Sequence, residues 1–539
     1  MRIIYLFFVL LPISIFSQFG NHAVKPASWG EDNLKSQMVS KEIAVSADDI
    51  NQLLEKNNHG AYVSAIEVPV DFHFNDFSLV KVLSNGDKIY QIKLYSKNMQ
   101  GMSFFIENLT LSNEAKLWVY DEAKTNFKGV YTSRDIDYST IFSTSPALGE
   151  TLIIEYLEPK NVLTEDFIIS KAYHFFNSLK SGNGTNTGFK SSKYCEINAK
   201  CSEGQSFINE LTSTCRILVY GSGYSGFCSG TLMNNTRQDH SPIILTANHC
   251  SANSTLSDLA NWEFQFEYES TNCFTPSSEP TVVSFKGSTA LAYTGSDGGE
   301  TTSDFLLLKL KTAIPDHLGF NYMGWDRSGT LASRGLCFHH PAGDIKKVSS
   351  FSRALESGSY GGTTPGTHFV VNWARTTNGF GVTEGGSSGS GLLNSDGRLI
   401  GTLTGGTSDC GNNTLDMYGK LYYHWDKNGT SSSIRVKDWL DPDNTGTVVL
   451  KSTNATASIR EKLDEKPFEI HIENQVLTIV WNEKPFSIQL YNTMGAKIKD
   501  VEYSKNHQNI QIDLSVLPKG IYIVEGIQND VRITKKIVY

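Results

Sequence analysis

The chain has 539 residues and a formal net charge of −9. That length exceeds one ordinary domain and points to three or four units. The mild acidity, with Lys and Arg scattered rather than massed, argues against nucleic acid as a partner.

Residues 1–17 read as a secretory signal: Arg2 supplies the positive start, Ile3–Phe16 is a nearly unbroken apolar run, and Ser17 is a small residue before a cut. The run is short for a membrane span, an uncleaved anchor being the alternative. Residues 18–193 form a cysteine-free, β-rich unit with a linker. Lys88–Tyr95 and Ala115–Tyr120 alternate apolar and polar residues, the pattern of half-buried strands. Lys180–Gly188 is rich in Gly, Ser, Asn and Thr and reads as a flexible linker, with Lys190 and Lys193 just after it.

Residues 194–449 hold all eight cysteines, from Cys195 to Cys410. An even count confined to one segment of an exported chain implies disulfides there. No C-x-x-C pair or H-E-x-x-H occurs, so neither a metal nor a cofactor is expected, and His339-His340 reads as a loop pair. The segment is strand-like, with one short helix expected over Ser432–Leu440. A polar linker follows at 450–465. The last unit, 466–539, is again strand-like, with alternation in Phe468–Ile472, Val476–Trp481 and Phe486–Leu490 and a turn at Pro518-Lys519-Gly520. The expected fold class is all-β.

Three stretches of the cysteine-bearing segment offer the parts of acyl transfer: a nucleophile, a base, a group that orients the base, and donors for the oxyanion. An apolar strand, Ile243–Thr246, leads to His249. Asp304 opens the apolar run Phe305–Leu310, where an acid at a strand mouth can orient an imidazole. Ser388 lies in Gly385–Gly391, whose glycines allow a tight turn with backbone N–H groups facing one point; those of Gly386 and Ser388 are the expected oxyanion donors. Singly these read equally as a structural histidine, a turn aspartate and a Gly/Ser loop. Together they form a set.

In that order and setting the sequence resembles the chymotrypsin-like serine proteases: "TANHC" is similar to that family's histidine motif, "SDFLLLKL" to its aspartate strand and "GSSGSG" to its nucleophile loop. The resemblance implies a double β-barrel. It sharpens toward the bacterial lysyl endopeptidases through "SGTLMNNT" (229–236), "GWDR" (324–327), "HHP" (339–341), "GVTEGGSSGSG" (381–391) and "DWLDP" (438–442). That family implies the pairings Cys195–Cys410, Cys201–Cys273 and Cys228–Cys250. Cys215 and Cys337 remain, and as leftovers in an exported chain they are expected to pair with each other.

A lysine or arginine side chain bound in a dry pocket needs a buried anion. Trypsin-like enzymes carry it six residues before the serine, where this chain has Val382. Lysyl endopeptidases draw it from a later stretch similar to Asp416–Gly419, which makes Asp416 the expected pocket anion, with Glu384 lining the pocket. Two positions depart from the family's type member. Tyr360 stands for a tryptophan and Thr404 for a histidine, both of which stack beside the catalytic histidine. Gly405 beside Thr404 leaves room for a substrate strand.

The resemblance implies a secreted serine endopeptidase acting after lysine on proteins or peptides, the mature product being monomeric. The alternatives are a broader Lys/Arg protease and a non-catalytic adhesin or binding protein on a protease scaffold. The N-terminal unit is expected to be a propeptide, released by cleavage at Lys190 or Lys193, or else a permanent β-sandwich binding domain. The C-terminal unit resembles type IX secretion sorting domains through "LYNTMGAKI" (490–498), "IDLSVLPKGIYIVEG" (512–526) and "KKIVY" (535–539). That implies a β-sandwich, the type IX machinery as a partner, and a product secreted or held at the cell surface. An immunoglobulin-like spacer is the other reading.

Overall fold

The computed structural model describes residues 24–34, 38–56, 60–136, 141–176, 188–294, 302–361, 364–412, 415–454, 468–473, 475–481, 487–492, 497–501, 509–528 and 531–539. The leader expected over 1–17 and most of the two linkers lie outside the described residues. Contacts divide the chain into two compact units, Met1–Ala455 and Thr456–Tyr539. Among the described residues no helix is long and apolar enough to cross a membrane.

Strands form where the alternation places them. In the strand Lys88–Tyr95, Ile89, Ile92 and Leu94 are buried. Its antiparallel neighbour Thr151–Glu158 sets Ile154 opposite Ile92, on the same apolar face. Lys116–Asp121 lies on the other side of Thr151–Glu158. A helix, Ala47–Lys56, adds to the strands of this N-terminal region.

The N-terminal region continues into the cysteine-bearing one through a shared sheet. The strand Tyr62–His73 pairs antiparallel on one side with Ile168–Phe176 and on the other with Tyr224–Met233, in the register Tyr62↔Phe227 and Ile66↔Tyr224. An edge that would otherwise offer unpaired N–H and C=O groups is thereby covered. The core beneath is shared too. Phe105 and Tyr173 pack on Tyr220, with ring centroids 5.0 and 4.9 Å away, in one cluster with Ile217, Leu218 and Phe264. Each such fully buried side chain contributes about 1.5–3 kcal/mol.

A second sheet runs through Lys347–Phe351, Gly335–His339, Gly391–Asn394, Leu399–Gly406, Asp416–Lys420 and His368–Val371, in that spatial order. Trp373, Tyr418 and Val382 pack under it. Toward the end of this unit, Ser432–Leu440 is two short turns rather than one helix. A 3-10 turn at Ser432–Ile434 and an α turn at Lys437–Leu440 are separated by the extended Arg435 (φ −148°). Val449–Leu450 and Thr453–Asn454 pair with Trp325–Asp326 and Asn321–Tyr322, so ordered structure runs past residue 450.

Three disulfides join Cys195–Cys410, Cys201–Cys273 and Cys228–Cys250, as the resemblance implied, with Cα separations of 5.6, 4.4 and 6.5 Å. The expected fourth does not form: Cys215 and Cys337 are free and buried. Cys215 lies in the Thr214–Gly221 strand of the first sheet and packs into the core of Ile217 and Ile244. Cys337 lies in Gly335–His339 of the second sheet and packs with Phe351, Trp373 and Tyr418. Each is a small apolar filler of a separate core.

The unit Thr456–Tyr539 holds a three-stranded sheet of Phe468–Glu473, Val476–Trp481 and Asn509–Asp513. It also holds a four-stranded sheet of Lys497–Val501, Ser487–Asn492, Ile521–Gln528 and Val531–Val538. Leu477, Ile479, Leu490, Ile512 and Val524 form its core.

Candidate active site

Strand register brings the histidine to the aspartate. Ile243–Thr246 pairs antiparallel with Leu306–Leu310, Thr246 opposite Leu306. The chain leaving the first strand and the chain entering the second therefore meet at one end of the ladder. There a 3-10 turn, Asn248–Ser251, carries His249, tied down by the Cys228–Cys250 bridge. That bridge closes a 22-residue separation, worth about 3 kcal/mol in the chain-entropy account.

Asp304 is fully buried and adopts a left-handed backbone (φ 55°), which turns its side chain back across the strand mouth. Its Oδ2 is 2.7 Å from His249 Nδ1, and its Oδ1 accepts the His249 backbone N–H at 3.0 Å. Burial opposes charge on both groups, but their attraction prevails. The His249 pKa is raised by the Asp304 charge and hydrogen bond. Asp304 is lowered by His249's charge and its two hydrogen bonds, with help from the Thr404 hydroxyl.

Ser388 sits in the turn before the strand Gly391–Asn394 and is 8% exposed. Ser229 on the first sheet holds this turn from beneath. Its N–H donates to the Ser388 carbonyl at 2.8 Å, and its hydroxyl donates to the Gly386 carbonyl at 2.9 Å. The sulfur of Cys250, the residue after His249, is 3.9 Å from the Ser388 carbonyl oxygen. Gly386 must be glycine: φ is +94°, and a Cβ there would lie 2.8 Å from the His340 oxygen and 2.9 Å from the Gly343 nitrogen. Among the described residues the N–H groups of Gly386 and Ser388 donate to no protein acceptor, and no hydrogen bond joins Ser388 Oγ to the His249 ring.

Asp416 is 1% exposed and opens the strand Asp416–Lys420. Its Oδ2 accepts from Trp373 Nε1 at 2.5 Å, Thr383 Oγ1 at 2.7 Å and Ser408 Oγ at 2.6 Å; its Oδ1 accepts the Ser408 N–H, at 3.2 Å. Val382 is fully buried in the apolar core. Glu384 faces the chain at Lys193: its Oε1 accepts the Lys193 N–H at 2.8 Å, and burial raises its pKa. Gly405 lies against Tyr360, whose Oη is 3.2 Å from the place a Cβ would take. Thr404 Oγ1 is 3.0 Å from His368 Nε2, and the Tyr360 ring tilts over His368 with centroids 6.0 Å apart.

Two further histidines reach this site. His339, read as a loop residue, ends a strand and is fully buried. Its Nδ1 is 2.8 Å from the hydroxyl of Ser387, the residue before Ser388, and its Nε2 is 3.0 Å from Ser349 Oγ. Ser349 gives its hydroxyl proton to the Val382 carbonyl, so His339 Nε2 donates to Ser349 and the neutral ring's Nδ1 accepts from Ser387, whose oxygen also takes the Glu384 N–H and locks the turn. The second, His368, stood in no motif, and its strand position alone carried no signal. Among the described residues no group of three His, Cys, Asp or Glu side chains gathers as a metal site would require.

Comparison with known proteins assigns these regions. Residues 189–419 match the family model of the lysyl endopeptidase C-terminal domain. Residues 473–539 match that of the secretion system C-terminal sorting domain. The chain is 32% identical over 282 residues to a lysyl endopeptidase of Pseudomonas aeruginosa, the match covering 50% of this chain and 57% of that protein. It thus spans little more than half the length of that curated relative. Solved structures with some likeness include the protease Anisep from Arthrobacter nicotinovorans (18% identity, 39% of this chain, 91% of that one, TM-score 0.29) and a Glu endopeptidase in complex with MPD (18%, 42%, 91%, 0.26). Residues 189–419 thus resemble a lysyl endopeptidase C-terminal domain, and residues 473–539 resemble a secretion system sorting domain.

Proposed function

We propose that this chain is the precursor of a serine endopeptidase that cleaves on the carboxyl side of lysine. The observation that carries the reading is the His249–Asp304 pair, held at both ring and backbone, next to a serine turn with two unengaged amides. In this reading Ser388 Oγ attacks the scissile carbonyl while His249 Nε2 takes its proton. Asp304 keeps the proton of His249 on Nδ1 and steadies the imidazolium. The N–H groups of Gly386 and Ser388 receive the oxyanion. His249 then protonates the leaving amine, and water releases the acyl group by the same steps in reverse order.

Lysine preference rests on Asp416. Three donors occupy its Oδ2, which leaves Oδ1 as the one oxygen with capacity for a substrate cation. A compact ammonium is satisfied by a single-point anion, whereas a guanidinium fork gains most from two free oxygens.

The N-terminal region serves as a propeptide in this reading. Its strand Tyr62–His73 covers the edge of Tyr224–Met233, and the Tyr62 ring lies 3.2 Å from where a Cβ on Gly385 would sit, at the start of the serine turn. Lys190 and Lys193 are exposed, as sites for self-cleavage must be. The sorting domain hands the chain to the type IX machinery. Digesting a denatured protein with the matured chain and sequencing the fragments tests the reading. Cuts confined to lysine are expected; cuts after arginine as well mean a broader protease, and no cuts with Ser388 intact mean a binding scaffold.

A further inference from the structure

We propose that His339 is a positioning residue for this reaction: it pins both ends of the stretch Val382–Ser387 through two serine hydroxyls and so holds the Gly386 and Ser388 amides where the oxyanion forms. The inference rests on the catalytic reading of His249, Asp304 and Ser388.

The second sheet supplies the anchor. His339 ends the strand Gly335–His339, and Cys337, two residues back, pairs with Ser349 on Lys347–Phe351. Side chains two apart on a strand, and those directly opposite on its neighbour, share a face. His339 and Ser349 therefore stand on the same side of the sheet. Gly381 lets the chain leading to the serine turn lie close against that strand: its φ is +54°, and a Cβ there would come 3.1 Å from Ser349 Cα.

A closed set of hydrogen bonds follows, and each direction is forced. A carbonyl only accepts, so Ser349 gives its proton to the Val382 oxygen at 2.7 Å. His339 Nε2, 3.0 Å from Ser349 Oγ, is then the donor of that pair. The neutral ring has one proton, so Nδ1 accepts from Ser387 Oγ at 2.8 Å. The same oxygen takes the Glu384 N–H at 3.1 Å, and the Ser387 N–H returns to the Glu384 carbonyl at 3.0 Å. The imidazole thus spans from the Val382 carbonyl at one end of the stretch to Ser387 at the other. Gly386 and Ser388 flank Ser387, so the direction of their N–H groups follows from where Ser387 is held. Ser229 secures this turn from the first sheet, and His339 ties it to the second. Thr383, inside the stretch, is held separately by Asp416, which keeps the lysine pocket in place when His339 is lost. Burial lowers the His339 pKa to about 3, so Nδ1 stays an acceptor wherever His249 works as a base. The charged and titratable groups facing His339 are Glu196, Lys347 and His340. Glu196 Oε2 stands 3.7 Å from Nε2 and favours a proton on that nitrogen.

The experiment uses enzyme matured from the full chain and two matched peptide inhibitors. One ends in lysine aldehyde: Ser388 Oγ adds to its carbonyl carbon, the hydroxyl proton passes to His249, and the aldehyde oxygen becomes the oxyanion in the turn. The other ends in the lysine alcohol, which fills the pocket and forms no oxyanion. His339→Phe is expected to lower kcat about tenfold, the scale of one buried hydrogen bond, with KM little changed. Aldehyde affinity should fall by the same factor while alcohol affinity holds. His339→Asn, whose Oδ1 replaces Nδ1 as acceptor for Ser387, should recover most of both losses. The double variant His339→Phe/Ser387→Ala should be no worse than Ser387→Ala, because the two act in series. Equal losses for aldehyde and alcohol, an unchanged kcat in His339→Phe, or losses that multiply in the double variant overturn the proposal. If His339→Phe does not fold, Ser387→Ala decides it with the same inhibitors: weakened aldehyde binding alone supports the proposal, and weakening of both or neither overturns it. Ser388→Ala separates the two readings. If it abolishes activity while the His339 variants lose nothing, only this inference fails; if it leaves activity intact, the catalytic reading fails first.

Discussion

Asp304 accepts two hydrogen bonds from the single residue His249, one from the ring at 2.7 Å and one from the backbone at 3.0 Å. The backbone bond fixes where the acid sits; the ring bond fixes which nitrogen of the imidazole carries the proton. Asp304→Asn keeps the size but presents an amide to Nδ1. We expect kcat to fall about 10⁴-fold, with the fold retained. Steady-state kinetics on a lysyl substrate checks this, and a loss below tenfold would remove Asp304 from the mechanism. The base limb of function follows the sign of the shifts. His249 is raised, so activity should rise with pH through a midpoint above the ordinary imidazole value of 6.5. The pair's contribution to stability runs the other way: His249's share is complete below 6.5 and lost as pH rises through its folded pKa. Asp304's share is present above 3.8 and lost as pH falls through its lowered value.

Asp416→Asn leaves a buried substrate ammonium facing a neutral amide. Removing one partner of a buried ion pair costs about 3–5 kcal/mol, so cleavage after lysine should fall by roughly 10²–10³-fold. Ser408→Ala, which removes one of the three donors to Oδ2, should cost about tenfold. Comparing kcat/KM on matched lysyl and norleucyl peptides reads the effect; unchanged lysine selectivity in Asp416→Asn would move the pocket anion elsewhere.

Gly386→Ala forces a side chain into a left-handed position already pressed by the His340 oxygen. A strain of about 1–3 kcal/mol is expected. Displacing the amide from the oxyanion position should lower kcat by roughly 10²-fold or more. Thermal melting and kcat measured on the same preparation should both respond; a full-activity Ala variant would rule out this amide as a donor.

Five buried histidines of the first unit are held neutral, His174 among them, its pKa lowered by burial to about 4. Burial lowers His339 and His424 to about 3 and His368 to about 4, and puts His340 well below its ordinary range. Each folded pKa lies below the unfolded value of 6.5, so the unfolded chain binds more protons and stability falls with pH. The Tm of Ser388→Ala, chosen to prevent self-digestion, should decline steadily from pH 6.5 toward 4. A flat Tm over that window contradicts the neutral assignments.

Cys215 and Cys337 are buried thiols, and burial pushes Cys215 up to about 12 and Cys337 higher still. Little thiolate exists at neutral pH, so neither should react in the native state. Denaturation without reductant should expose two alkylatable thiols per chain. Finding none would reinstate the fourth disulfide.

Much of the site was legible because local pattern carries it. The apolar runs ending at His249 and starting after Asp304 signal strands by composition. The glycines around Ser388 signal a turn, and the strand alternation over Lys88–Tyr95 and Val476–Trp481 reappears as strands. The errors share one cause. Cys215 and Cys337 were paired by elimination, yet which core each strand faces depends on sheet membership, which no local pattern encodes. His339 was read as a loop residue because its partners, Ser387 and Ser349, lie 48 and 10 positions away.

The sequence by itself determined the chemical inventory: a histidine, an acid, a serine with glycines about it, a later aspartate, and the linkers and terminal units around them. Those depend on residue type and short-range spacing. Only the tertiary structure decided which groups meet. Strand register put Asp304 under His249, and a missing Cβ at Gly419 let Ser303 settle against the second sheet. The edge pairing of Tyr62–His73 carried the N-terminal region to the serine turn. Hydrogen bonds and burial act over ångströms in space, and residues more than 100 positions apart acquire that proximity only when the sheets assemble.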